Sequence, residues 1–260
     1  MSIITVLTDF GLKDPYVGIM KGVMLAINPS LSIVDISHEV EAQGVREGCF
    51  LIDEYYRYFG PGTVHLCVVD PTVGGSRKPL IVTRGDQTFV GPDNGLFTLV
   101  LRDGAIAREI ANSRFLPARM SGTFHGRDVF APVAAHLTRG TAASEFGPPV
   151  AEPVRIGDLF PSIEDDVMTG EVVRIDRFGN AISNITFDAF SAFVGTGTFL
   201  VEVDDLSFDA LNTSYYDDRY TCLVGSSGYL EFGLFLGNLA KEESIDKGDA
   251  VRISRLARPA

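Results

Sequence analysis

Positive charge is in short supply: 22 Lys+Arg stand against 34 Asp+Glu in 260 residues, a formal net charge of -12. Duplex nucleic acid and anionic membranes both demand a basic face, so neither is expected as a main partner, while a small cationic ligand remains compatible. Cysteine is scarce as well. Cys49, Cys67 and Cys222 form no CxxC pair and make an odd set, which indicates neither a disulfide framework nor a zinc cluster and fits a reducing, cytoplasmic setting. No run of about 18 apolar residues occurs, and MSIITVLTDFG has no basic segment ahead of its apolar run, so neither membrane spanning nor secretion is expected. A phosphate loop is also missing: Gly74-Gly75-Ser76 leads to Lys78-Pro79 and a strand, with no GxGxxG or GxxxxGK[ST] opening a helix.

What is present is ample apolar side chain, 45% of residues against 22% charged, enough to build a core. At about 100 to 200 residues per domain, the length fits one large domain or two smaller ones. The charge favours two, since residues 1–151 hold 13 basic and 15 acidic side chains whereas residues 152–260 hold 9 and 19. The first half alternates β-branched runs with helical spacing. Ile3 to Leu7 is followed by Val17, Met20, Val23, Met24 and Ile27 along a helix stopped at Asn28-Pro29; then come Leu31 to Ile36, a helix from Val45 to Phe59 and the run Val64 to Val69. This β-α-β-α-β order predicts an α/β domain over 1–150 with a mostly parallel, doubly covered central sheet. Pro79 to Thr83 and Gln87 to Val90 should pair across Arg84-Gly85-Asp86, and Val129 to Leu137 should form a further helix. Scattered Pro, Gly and acids suit a linker at 151–168. Short strands then dominate over 169–260, predicting a smaller all-β, barrel-like domain.

In an open parallel sheet, ligands bind beyond the carboxyl ends of the strands. Here those ends are acidic: Thr8-Asp9-Phe10-Gly11, Ser37-His38-Glu39, and Asp70-Pro71-Thr72-Val73-Gly74-Gly75-Ser76-Arg77. One Asp in such a place is ordinarily a turn or a helix cap; three in succession point to a site. His125, between Phe124 and Gly126 ahead of a helix start, is set to face solvent and titrate, whereas His38, His65 and His136 lack such a setting. In the second half, Asp176-Arg177-Phe178-Gly179-Asn180 offers an acid, a ring and an amide in one turn. Gly225-Ser226-Ser227-Gly228-Tyr229-Leu230-Glu231 offers hydroxyls and backbone N–H groups in another. Each also reads as an ordinary hairpin connection; together they suit a ligand with an aromatic base and a polar end.

With Gly91-Pro92-Asp93-Asn94-Gly95 and Phe124-His125-Gly126-Arg127-Asp128 added, six motifs in order over essentially the whole chain resemble the S-adenosyl-L-methionine hydroxide adenosyltransferases, relatives of the SAM-dependent fluorinase and chlorinase. The resemblance implies attack of a water-derived hydroxide at C5′ of S-adenosyl-L-methionine, giving adenosine and L-methionine, with no cofactor and no metal. It implies a homotrimer with sites between neighbouring subunits. By motif match, Asp70, Arg77 and His125 are the set that prepares the water, and Asp9 is the acid on the ribose hydroxyls. Phe178 and Asn180 match adenine contacts, with Tyr215 as the aromatic that stacks on the base. Asp176 and Ser226 match positions at the methionine end, and Ser227 and Glu231 complete the substrate-binding set. The run Phe232-Gly233-Leu234-Phe235-Leu236-Gly237-Asn238 departs from the family, whose members carry a more polar stretch there.

Within that superfamily, halide users carry tyrosine where this chain has Asp70 and again where it has His125. A carboxylate at the nucleophile's seat repels a halide but accepts a proton from water, so hydroxide is expected. Two other readings remain open from the residues. One is a metal-dependent phosphoesterase using Asp9, Asp35, Asp70 and Asp93 with His38 or His125. The other is a sensor that binds SAM or adenosine with little catalysis.

Overall fold

The computed structural model describes residues 2–102 and 104–256. The chain divides into two compact units, Met1–Ile156 and Gly157–Ala260.

The first unit contains β1 (Ser2–Thr8), α1 (Tyr16–Ile27), β2 (Leu31–Ser37), α2 (Val45–Tyr55), β3 (Val64–Val68), β4 (Pro79–Arg84), β5 (Gln87–Pro92), β6 (Ile106–Glu109) and α3 (Ala131–Leu137). Its six strands lie in the order β2-β1-β3-β5-β4-β6. The β2-β1, β1-β3 and β3-β5 pairs are parallel, while β4 runs antiparallel to both β5 and β6. The sheet is therefore mixed, a correction to the mostly parallel sheet expected from the repeat of strand and helix. The tight Arg84-Gly85-Asp86 turn reverses the chain, and β6, whose four residues carry no marked apolar run, then pairs with β4.

Alternation along the strands explains the two cores. Ile4, Val6, Val64, Leu66, Val68 and Ile81 face α1 and α3 and meet Met20, Met24, Val133 and Ala134. Leu7, Cys67, Val69, Leu80, Val82 and Phe89 point to the opposite face and meet Ile52 of α2 with Leu96 and Phe97. A central strand buried at every position, as in β3, is what a sheet covered on both faces requires. The effect for function is that the carboxyl ends of β1, β2 and β3 open side by side.

The second unit contains β7 (Ser162–Glu164), β8 (Val167–Ile175), β9 (Ala181–Thr186), α4 (Phe187–Val194), β10 (Thr198–Val203), β11 (Leu206–Phe208), β12 (Tyr220–Val224), β13 (Tyr229–Leu234), α5 (Leu239–Glu242) and β14 (Ala250–Leu256). Seven strands follow the order β11-β10-β14-β8-β9-β13-β12, with β7 added on β8, and every pairing is antiparallel. Just past β11, the Asn212 amide donates to the Cys222 carbonyl of β12 at 2.7 Å, so the two ends of the order nearly meet and the sheet is barrel-like. Val201, Val203, Cys222, Phe232, Val251 and Ile253 fill the interior. The unit is not all-β as expected. Helix α4 starts where the Thr186 hydroxyl accepts the Ala189 N–H, and it lays Phe190, Phe193 and Val194 onto the core at helical spacing.

Candidate active site

One strand end and two loops supply the first cluster. Asp70 follows β3, and the loop after it returns Arg77 to the same place before β4 begins. Arg77 Nε lies 3.0 Å from both Asp70 carboxylate oxygens, and its Nη2 also bonds Asp70 Oδ2. The same Nη2 donates to His125 Nδ1 at 2.8 Å, and the guanidinium sits 5.3 Å over the Phe130 ring. The Asp70 and Arg77 side chains are only 4% and 6% exposed. Burying such a pair is tolerable because both charges are matched and hydrogen-bonded.

The loops are locked to each other through glycine. Gly74 has φ +78°, and a Cβ there would lie 2.1 Å from the Gly122 carbonyl oxygen, so the segments carrying Arg77 and His125 touch backbone to backbone. His125 itself precedes a π turn, Gly126–Phe130, in which the Ala131 N–H reaches back to the Gly126 carbonyl before α3 continues. Asp128 steadies that turn by accepting the Ser121 N–H at 2.7 Å and pairing with Arg127 at 2.6 Å. Burial lowers the His125 pKa from its ordinary value, and the Arg77 charge lowers it further against the opposing pull of Asp70 and Asp128. Arginine only donates, so His125 Nδ1 is the unprotonated nitrogen and Nε2 carries the ring proton.

Asp9 stands at the end of β1. Its Oδ2 accepts the Gln43 N–H at 2.9 Å. Burial raises its pKa, and the nearby Asp70 charge adds to this, while the amides of Gln43 and of Asp9 itself act in the other direction.

The second unit brings the remaining candidates into one hydrogen-bonded chain. Asp176 Oδ1 accepts the Phe178 N–H at 2.8 Å and the Asn180 N–H at 2.9 Å, and Oδ2 accepts Asn180 Nδ2 at 3.1 Å. Asn180 Nδ2 also lies 3.4 Å from the Tyr215 hydroxyl, which donates to Glu231 Oε1. Burial raises the Tyr215 pKa strongly, and the bond to Glu231 reinforces it. Gly225, opening the Ser226-Ser227 turn, lies against Glu231: a Cβ there would be 2.2 Å from Oε2. Gly179, at φ +89°, lets the Asp176 turn rest on Asn238, where a Cβ would collide at 2.2 Å. With their polar atoms tied down, the rings project: Phe178 is 74% exposed and Tyr215 36%. Ser226 is exposed and Ser227 half-buried.

Comparison with known proteins bears on this arrangement. The family model for the SAM hydroxide adenosyltransferase N-terminal domain matches residues 4–147, and that for its C-terminal domain matches residues 170–252. The chain belongs to the SAM hydroxide adenosyltransferase family. Within this family, the chain is 35% identical over 268 residues to the (R)-S-adenosyl-L-methionine hydrolase of Methanocaldococcus jannaschii, covering 97% of this chain and 96% of that protein. A fluorinase of Actinoplanes sp. is 29% identical over 290 residues, with 97% of each covered. An uncharacterized conserved protein from Thermotoga maritima, of known crystal structure, superposes with a TM-score of 0.88 at 39% identity, over 97% of this chain and 100% of that one.

For this adenosyltransferase-family chain, the structure gives contacts to residues that had no place in the set implied by the resemblance. His38 and Thr8 bond to each other behind Asp9, Gln43 holds the Asp9 carboxylate, and Phe130 carries the Arg77 guanidinium. The available signal for His38 was its place at a strand end, beside the acids already singled out.

Proposed function

We propose that this chain is an enzyme that hydrolyses S-adenosyl-L-methionine, forming adenosine and L-methionine by attack of a water-derived hydroxide at C5′. The observation that carries the reading is the buried Asp70-Arg77-His125 chain at the strand ends of a member of this family. Water has a pKa near 15.7 in bulk, so the site must favour its deprotonation. Since Nδ1 of His125 is taken by Arg77, the neutral ring meets water through the Nε2 proton and donates. Asp70 is left as the group that accepts the water proton. General-base help of this kind is worth about 10²- to 10⁴-fold. Arg77 and His125 stabilise the hydroxide that forms. An O–C5′ bond then forms as the C5′–S bond breaks, and the bonding pair goes to sulfur. The sulfonium becomes a neutral thioether, so opposite charges vanish along the reaction, and a site that excludes water favours this. In-line placement of oxygen, C5′ and sulfur supplies the rest.

In this reading Asp9 holds the ribose hydroxyls. Phe178, Asn180 and Tyr215 receive the adenine, and Glu231 fixes the tyrosine. Asp176, Ser226 and Ser227 take the methionine end. The protein acts in the cytoplasm as a homotrimer with sites between subunits and needs no cofactor, which native mass and full activity in EDTA would support. The phosphoesterase alternative loses ground on chemistry: Asp35 is tied to Lys21 at 2.5 Å and Asp70 to Arg77, and Asp93 accepts the Val154 N–H at 2.8 Å. No group of three or more His, Cys, Asp or Glu able to hold a metal occurs among the described residues. The sensor alternative has no specific observation in its favour.

The test is incubation with both sulfonium epimers of SAM, because the relative's name specifies the (R) form, in ¹⁸O-labelled water. Adenosine carrying the label at C5′, with an equal amount of methionine, is expected. A 5′-halo-adenosine formed in halide buffer would overturn the hydroxide assignment, and binding without product would favour the sensor.

A further inference from the structure

The turn Thr8-Asp9-Phe10-Gly11 is held from the neighbouring strand end by one residue. His38 Nδ1 lies 2.8 Å from Thr8 Oγ1, and the His38 carbonyl accepts the Gly11 N–H at 2.7 Å. A single residue thus grips both ends of the turn, by side chain and by main chain, and its own side chain is almost wholly buried. The other ring nitrogen, Nε2, faces Asp35 Oδ1 at 3.1 Å, an ion-pair distance at an angle too oblique for a full hydrogen bond. Asp35 is in turn paired with Lys21. Burial lifts the Asp35 carboxyl, yet Lys21 and His38 together overcome this and hold it below its ordinary range. A carboxylate facing Nε2 places the ring proton there and leaves Nδ1 as the acceptor. The Thr8 hydroxyl must then donate to Nδ1, which turns its lone pairs toward the Phe10 N–H at 3.3 Å. From the other side, Gln43 reaches the Asp9 carboxylate out of left-handed backbone, φ 68°.

We propose that His38 is a positioning residue: acting through Thr8 and Gly11, it fixes the turn that aims the Asp9 carboxylate at the substrate. The proposal rests on the hydrolase reading for its kinetic consequence and on the hydrogen-bond geometry alone for its structural one. The chemistry of the ring allows the two contacts to be separated. Asparagine puts its amide where Nδ1 lies and keeps the Thr8 contact; glutamine puts its amide where Nε2 lies and keeps only the Asp35 contact.

His38→Gln should raise KM for SAM roughly 10-fold while kcat changes less than about 3-fold, the size expected when a buried hydrogen bond orienting a charged group is lost. His38→Asn should restore most of the loss. Thr8→Val, which also removes the acceptor of the Phe10 N–H, should lose at least as much as His38→Gln, and the double variant should be no worse than Thr8→Val alone, because the His38 contact runs through that hydroxyl. Hydrogen exchange supplies a readout independent of activity: the Phe10 and Gln43 amides should lose protection in His38→Gln and Thr8→Val and keep it in His38→Asn, while β3 amides stay unchanged. If His38→Gln does not fold, Thr8→Val, which exchanges the hydroxyl for a methyl group, is read in the same two ways. A folded variant with unchanged KM and unchanged exchange at Phe10 and Gln43 overturns the proposal. So does an equal loss in His38→Asn and His38→Gln. A wild-type protein that releases no adenosine overturns the hydrolase reading instead, and the exchange data then decide the role of His38 alone.

Discussion

In the first unit, the candidate residues are titratable or charged side chains, Asp9 and Asp70 at the ends of parallel strands and Arg77 and His125 brought to Asp70 by loops. In the second, they sit in loops between strands and on β13, where Glu231 lies, with Asp176, Asn180, Tyr215 and Glu231 in one hydrogen-bonded chain and the rings left outside. All four histidines, His38, His65, His125 and His136, belong to the first unit. Topology explains the contrast. The order β2-β1-β3 sets the strand ends at Asp9, His38 and Asp70 next to each other whatever their distance in sequence. In the barrel-like sheet, β9 lies between β8 and β13, so the Asp176 turn and Glu231 become neighbours. The first arrangement concentrates charge and suits proton transfer; the second offers flat apolar faces over a fixed polar base and suits recognition of an aromatic group.

Substitutions can break this contrast. The largest effect is expected for Asp70→Asn, which keeps the shape but removes the proposed proton acceptor. The rate of adenosine release should fall by about 10²- to 10⁴-fold, while calorimetry should show adenosine binding altered by no more than about 3-fold. Equal losses of binding and rate would mean that the units do not divide the work in this way.

Acid should act next, and on the first unit. Burial lowers the His65 pKa from 6.5 to about 4, so the unfolded chain takes up a proton that the folded unit refuses. The ring has 0% exposure, with Nδ1 bonded to Thr5 and Nε2 to Gln87. Stability from this source is therefore complete above about pH 6.5 and falls as the pH drops toward 4, by about 3 kcal/mol in total. Hydrogen exchange of β3 peptides should weaken across that interval much more than that of β10 peptides. His65→Gln should flatten the β3 dependence, and an unchanged slope would show that another group is responsible.

Recognition by the second unit is a smaller effect. Phe178→Ala and Tyr215→Ala should each raise KM by about 5- to 100-fold, in keeping with about 1–3 kcal/mol for a base on an aromatic ring, with kcat little changed. A loss confined to kcat would assign those rings to the chemistry instead. Smallest of all, Thr186→Ala should cost about 1 kcal/mol of second-unit stability through the lost α4 cap, seen as an earlier denaturation midpoint at unchanged KM.

Much of the first unit is legible in its residues. Near-continuous apolar runs such as Val64 to Val69 mark strands covered on both faces, and Val17, Met20 and Met24 mark the inner side of a helix. What local pattern does not carry is where a short strand reached through a long connection will pair, which is why the antiparallel pairing of β4 with β6 needed the structure. In the second unit, α4 was masked by its aromatic residues, which serve strand and helix equally; the Thr186 cap was the sign to read. Asp70, Arg77 and His125 stood out by motif. His38 did not, because its role comes from contacts with residues on β1 that no spacing reports.

Residue types and turn positions can be read without the fold: an acid surplus, acids at successive strand ends, and glycine-containing turns around Gly74 and Gly179. Only the tertiary structure decided that Arg77 stands between Asp70 and His125, and so which imidazole nitrogen is free to meet water. The reason is physical. Composition and periodicity fix local backbone preferences and which faces are apolar. Hydrogen-bond direction and burial belong to groups 48 residues apart, as for Arg77 and His125, and arise only when the folded sheet brings their ends together.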